Sequence, residues 1–215
     1  MKKIALILSG PTHEYFDPVR FIGNASSGLM GKAIAEEAVR RGYFVVFVSG
    51  PVPDSNLPDL ASNGDIHRVL SAEDMLFKAS ELFPSASLAV FAAAVADYAP
   101  AEKWDEKIAK SDDALVLHLR PTPDIARTLC STKQPGQLAV GFALQTSEGE
   151  NQARRKLESK MLDGIILNTP ASLGSSHGEF SFLSAGAGTF EHWGRIAKKE
   201  CAVRILDAVE SLSAR

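Results

Sequence analysis

The chain has 215 residues, 45% of them hydrophobic, which is enough for one large domain with its own core and too few for a second of similar size. A net charge of −3 and an isoelectric point near 6 carry no global attraction for nucleic acid or anionic lipid. The sequence opens MKK and runs straight into an apolar stretch, with no long apolar segment or cleavage signal, so secretion and membrane insertion lack support and a cytoplasmic protein is the expectation.

Residues 4–8, IALIL, predict a buried strand, and residues 33–41 place small and apolar residues at helical spacing before a basic turn and Gly42. Between them lies DPVRFIGNASSGLMG, residues 17–31. Ser26, Ser27 and Gly28 stand where the helix begins, so a hydroxyl there is expected to cap helix N–H groups that also face an anion. Arg20 adds a planar fork for carboxylate or phosphate, and Asn24 adds a donor and an acceptor in one amide. The same residues describe an ordinary capped helix start beside an exposed arginine, so the motif alone leaves both readings open.

A continuous apolar run at 43–48 predicts a strand buried on both faces, followed by a short strand at 66–70. Ser71 and Asp74 form a capping box for a helix over 72–83. The strand predicted at 88–95 empties into ADYAP. Ligands of open parallel sheets lie beyond the carboxyl ends of strands, which sets Asp97 beside the same crevice as Asn24. The charged stretch 102–113, with Lys103, Lys107 and Lys110, has the length of a lid, binding loop or mobile connection, and 114–120 alternates like a half-exposed strand.

Thr122 is expected at a helix cap with Pro123 in the first turn. A strand follows at 138–144, then an amphipathic helix over 148–161 that puts Lys156 and Lys160 on one face. A core strand at 165–168, a short pairing of 180–183 with 189–191, and a closing helix over 196–212 complete the pattern. Cys130 and Cys201 sit in helix-like apolar patterns with no second ligand nearby, as reduced core residues do. Alternating strands and helices predict an α/β fold: a doubly wound, mostly parallel, Rossmann-like sheet in a single domain over 1–215. There is no G-x-G-x-x-G after the first strand, no phosphate-loop motif, and no G-x-S-x-G elbow; the five histidines are scattered.

Read in order, SGPTHEYFDPVRFIGNASSGLMG at 9–31, AAAVADYAP at 92–100, EKIAK at 106–110, TPDI at 122–125 and VGFALQT at 140–146 closely resemble the phosphopantothenoylcysteine synthetase family. Lys156, Lys160, Asp163 and Asn168 continue the likeness. The resemblance implies a ligase of coenzyme A biosynthesis. In such enzymes the carboxylate of 4′-phosphopantothenate attacks the α-phosphate of CTP, pyrophosphate leaves, and the amine of L-cysteine displaces CMP from the acyl-cytidylate. It implies Mg²⁺, through the nucleotide phosphates, with Asp97 on either the nucleotide's ribose or the metal; a homodimer; no flavin in this chain; and a separate decarboxylase.

By the same resemblance, Asn24 and Lys107 are the catalytic candidates, with Arg20 and Asn24 on the substrate. Nucleotide contacts are implied for Ser26, Ser27, Gly28, Phe91, Ala92, Ala93, Asp97, Lys107, Thr122, Pro123, Asp124, Ile125, Phe142, Lys156 and Lys160. Ala109, Gln145 and Thr169 depart from the usual pattern. Two rivals remain at this point: a relative that binds the nucleotide without turning it over, and a generic nicotinamide-dependent reductase.

Overall fold

The computed structural model describes residues 3–144, 149–172 and 174–213. The first unit is β1 (Ile4–Ser9), a hairpin of β2 (His13–Tyr15) and β3 (Phe21–Gly23), helix α1 (Leu29–Arg40) and β4 (Phe44–Ser49). Then come β5 (Gly64–Arg68), α2 (Ala72–Leu82), β6 (Leu88–Phe91), β7 (Tyr98–Pro100), β8 (Leu119–Pro121) and α3 (Ile125–Cys130). The C-terminal third adds β9 (Leu138–Leu144), α4 (Gly149–Ser159), β10 (Gly164–Asn168), β11 (His177–Ser184), β12 (Glu191–Ala197) and α5 (Lys198–Ser213).

Eight strands form one sheet in the order β12-β11-β10-β9-β6-β1-β4-β5. From β10 to β5 all pairings are parallel, and β11 and β12 add an antiparallel edge. Parallel strands need cover on both faces, and the pleat supplies it. Ala5 and Ile7 point into the layer with α1 and α5, while Leu6 and Leu8 point into the layer with α2, α3 and α4. The chain winds outward from β1 to β5, then returns through β6 to β10 on the other side. The gap between β1 and β6 is therefore the switch point of a doubly wound fold.

Helices α1 and α5 are also joined electrostatically. Glu37, almost enclosed, accepts from Arg40 at 2.5 Å and from Arg41 at 2.7 Å, and Arg41 reaches Asp207 at 2.7 Å and Glu210 at 3.1 Å on α5. The Arg40 hydrogen bond holds the Glu37 carboxyl below its ordinary range; burial opposes this, and the Arg41 hydrogen bond reinforces it.

Several boundaries differ from the sequence expectation. The third central strand stops at Phe91 rather than running to residue 95, because the chain swings up to a single bridge between Pro11 and Ala94. Strand β5 lies two residues early, pairing Gly64 to Arg68 with Val45 to Ser49. The half-exposed strand expected over 114–120 shrinks to Leu119–Pro121 on Tyr98–Pro100, a ladder bounded by prolines that cannot donate. Conversely, the C-terminal hairpin is longer than expected, so α5 begins at Lys198 rather than Ile196. Thr122 does not cap α3: Asp124 does, accepting from the Arg127 N–H at 3.1 Å, and Pro123 stays outside the helix. The Ser71 and Asp74 capping box is present, and both cysteines are free and buried, with burial raising their thiols to about 11 for Cys130 and about 12 for Cys201.

Candidate active site

Helix α1 begins without a side-chain cap. Gly28 occupies its N-cap in a left-handed conformation, φ 74°, and no hydroxyl takes its free N–H groups, contrary to the capping expected of Ser26 or Ser27. The Ser26 hydroxyl instead accepts from the Gly28 N–H at 3.4 Å. Gly31 brings the helix against β1: a Cβ there would overlap the Ser9 side chain, whose hydroxyl donates to the Gly28 carbonyl at 3.2 Å. The result is an open, dipole-positive helix start fixed over the end of β1.

Opposite it, the segment after β6 is held by backbone bonds from Ala92 to Leu8 at 3.0 Å and from Ala94 to Gly10 at 2.8 Å. Asn24 closes the gap: its amide nitrogen donates to the carbonyls of Val95 at 2.9 Å and Ala94 at 3.3 Å. Carbonyl oxygens can only accept, so this geometry fixes the amide orientation and leaves Oδ1 as the free atom. The Thr122 hydroxyl donates to the Ala96 carbonyl at 2.5 Å, bringing the TPDI turn to the same rim.

A cavity of about 530 Å³ lies over these strand ends. Its walls include Asn24, Ser26, Ser27, Gly28, Phe91, Ala92, Ala93, Asp97, Thr122, Pro123, Asp124, Ile125, Phe142, Lys156 and Lys160. Fold and register thus bring together residues spread over more than half of the chain. Arg20 and Lys107 stand outside it. The Arg20 guanidinium donates to the Ile108 carbonyl at 2.9 Å and lies 3.5 Å from Asp17, while Lys107 is exposed on the segment this clasp holds. Gln145, one of the departures noted above, lies outside the described residues.

The cavity is positively biased on its α4 side. Lys160 pairs with Asp124 at 3.1 Å. Burial, and then the neighbouring Lys160 charge, lower the Lys156 ammonium below its ordinary value, with Asp97 and Asp124 opposing. A group in that position gains from an incoming anion.

Two polar groups of this wall have roles that sequence reasoning did not assign. Lys198 is 8% exposed, and Asn168 carries a buried Oδ1 without a partner. A lysine in the first turn of a helix, against the dipole, was the available signal for Lys198.

The described residues gather no group of three or more His, Cys, Asp or Glu for a metal. Asp97 lines the cavity with its carboxylate in no hydrogen bond or ion pair among those residues. One free carboxylate on the wall of a nucleotide-sized cavity fits Mg²⁺, which binds through one or two carboxylates together with substrate phosphates.

Comparison with known proteins fixes the lineage. The DNA/pantothenate metabolism flavoprotein C-terminal domain matches residues 1–212. The chain belongs to that family. A solved structure of the C-terminal domain of the coenzyme A biosynthesis bifunctional protein CoaBC superposes with a TM-score of 0.81 at 35% identity, covering 98% of this chain and 95% of that one. CoaBC of Bacillus subtilis is 39% identical over 176 residues, 82% of this chain and 42% of the relative. A cysteine/cysteine sulfinic acid decarboxylase from an unknown prokaryotic organism is 42% identical over 172 residues, 80% of this chain and 47% of the relative. The chain therefore spans less than half the length of these two full-length family relatives. No helix among the described residues is long and apolar enough to cross a membrane.

Proposed function

We propose that this chain is a phosphopantothenate–cysteine ligase that works through an acyl-cytidylate. The observation that carries the reading is the convergence of an uncapped helix start, the Lys156 and Lys160 pair and the aromatic wall of Phe142 on one switch-point cavity. That arrangement accepts a nucleotide and a second anion side by side, as two-substrate activation of a carboxylate demands.

A carboxylate oxygen of phosphopantothenate attacks the α-phosphorus of CTP, a new P–O bond forms, and the bond to pyrophosphate breaks. The cysteine amine then attacks the acyl carbon, the C–O bond to CMP breaks, and the nitrogen loses a proton. Neither step uses a protein nucleophile, so catalysis rests on positioning and on compensating phosphate charge. Lys156, Lys160 and the α1 N–H groups supply that compensation, and Mg²⁺ on Asp97 would add to it by neutralising phosphate charge. With its N–H groups spent on Ala94 and Val95, Asn24 offers Oδ1, an acceptor suited to the attacking amine.

A homodimer belongs to this reading. Val19, Phe21, Tyr98, Trp104, Val116 and Leu119 are exposed around the β2–β3 and β7–β8 hairpins, an apolar surface that a second copy would bury. Such a copy is also one way for Lys107 to reach an active site; closure of its own segment is the other. The setting is cytoplasmic, and the carboxylate left on the product is the substrate of a decarboxylase acting at another active site.

Incubation with phosphopantothenate, cysteine, Mg²⁺ and either CTP or ATP, read by mass spectrometry, tests the assignment. Phosphopantothenoylcysteine and pyrophosphate formed faster with CTP support it. CTP binding without any conjugate would instead favour a non-catalytic relative.

A further inference from the structure

On the sheet face that α5 shares with α1, the N-terminus of α5 brings to the cavity a lysine in an energetically poor place. Lys198 is the first residue of the helix, where the dipole is positive, and is 8% exposed. Its backbone N–H donates to Ser176, but its ammonium makes no hydrogen bond or ion pair among the described residues. Burial lowers its pKa, and among the described residues the group opposing this is the Cys201 thiol, not a carboxylate. Buried charges in folded proteins are normally paired. This one faces a cavity.

The same stretch of wall holds a second orphan. Ser172 donates its hydroxyl to the Thr169 carbonyl at 2.7 Å, so its oxygen can only accept from Asn168 Nδ2 at 2.8 Å. That chain fixes the Asn168 amide and leaves Oδ1 buried without a donor. The enclosed Oδ1 lies out of a ligand's reach, which leaves the unpaired ammonium of Lys198 as the group that faces the cavity.

We propose that Lys198 is an anion-binding residue of this cavity, taking a phosphate or carboxylate oxygen of a bound substrate on the α5 side, opposite the Lys156 and Lys160 pair. The proposal rests on the two-anion reading of the site and adds to it a third cation. Two sources share this chemistry: the nucleotide's phosphates and the phosphorylated acid.

The test is equilibrium binding to the wild-type protein and to Lys198→Met, which keeps the length and apolar stem of the side chain. The probes are CTP against cytidine, and phosphopantothenate against pantothenate. Substitution is expected to weaken CTP or phosphopantothenate at least about tenfold while leaving cytidine, and pantothenate if the phosphate is the contact, within about twofold. Loss confined to CTP places the nucleotide phosphates at Lys198. Loss confined to phosphopantothenate places its phosphate there, and equal loss for phosphopantothenate and pantothenate places the carboxylate. Unchanged affinity for all four probes overturns the proposal.

Wild-type protein that binds neither CTP nor phosphopantothenate removes the parent reading first, and this inference with it. If Lys198→Met does not fold, acetylation of Lys198 in the wild-type protein, read by peptide mass spectrometry, replaces it. Protection by CTP or by phosphopantothenate is then expected, and no protection by either overturns the proposal.

Discussion

Arg20 donates from its guanidinium to the carbonyl oxygen of Ile108, 88 residues later, at 2.9 Å. Asp17 completes the clasp, accepting the Ile108 N–H at 3.3 Å while also accepting from Val19 at 2.8 Å and Arg20 at 2.7 Å. The hairpin that leads into the candidate site therefore holds the segment bearing Lys107. Replacing Asp17 by Asn is predicted to free that segment, raising amide exchange at Ile108 without lowering protection in the central strands; unchanged exchange at Ile108 would show that the clasp holds nothing.

The clasp should also respond to acid. Burial pushes the Asp17 carboxyl up, but the N–H donors of Val19, Arg20 and Ile108 and the Arg20 charge outweigh it and hold the group below its ordinary value. A depressed carboxyl stabilises fully above its unfolded pKa and loses that stabilisation as pH falls through the folded value. The protection factor at Ile108, exchange corrected for the intrinsic pH dependence of a free amide, should therefore be constant near neutral pH and fall below about pH 4. Protection that begins to fall near neutrality would contradict this account.

Much of this architecture could be read from the sequence because buried strands announce themselves: IALIL and FVVFVS have no polar face to leave in water. The order of motifs likewise sufficed to assemble the walls from Asn24 to Lys160. Other features depended on tertiary partners. The β2–β3 hairpin hides in what looks like loop, since its three-residue strands are pinned by contacts such as Glu14 accepting from the Ala72 N–H at 2.8 Å. Arg20 looked like a free anion fork because nothing local reveals that its acceptor is Ile108. Lys198 lies unremarked within the closing helix expected over 196–212, and the long β11–β12 hairpin is what carries it to the cavity.

Arg41 offers a stability test away from the site. Replacing it by Met removes the charge that reaches Glu37, Asp207 and Glu210 and leaves the Glu37 carboxylate enclosed with Arg40 alone. A loss of about 3 kcal/mol is expected in denaturant unfolding, the scale for breaking a buried pair from one side. A loss below about 0.5 kcal/mol would class the network with ordinary surface charges.

Lys107 can be separated from its neighbours by substitution. Lys107→Gln should keep the melting temperature and lose on the order of 10²–10³ in product formation, the usual consequence of removing a donor from a transition state. Lys103→Gln and Lys110→Gln carry the same charge change and should lose little. Equal, mild losses at all three would mean that the segment is a solvated charge run. Mixing inactive Lys107→Gln and Asn24→Asp proteins adds a second readout, because recovered activity would require sites shared between two copies.

Asn24→Asp turns the two carbonyls of Val95 and Ala94 from acceptors of an amide into neighbours of a carboxylate. Water can take over both carbonyls of this exposed contact, so stability should fall by no more than about 1 kcal/mol, while turnover falls far more because the new charge faces substrate anions. Near-normal turnover in a stably folded variant would take Asn24 out of the chemistry.

The acyl-cytidylate itself is tested most directly by isotope transfer. When the carboxylate oxygens of phosphopantothenate carry ¹⁸O, the attacking oxygen becomes the bridge to the α-phosphorus and departs with CMP. One labelled oxygen in the CMP phosphate, with pyrophosphate unlabelled, is the predicted result. Label in inorganic phosphate with CDP as co-product, or unlabelled CMP beside the conjugate, would contradict it.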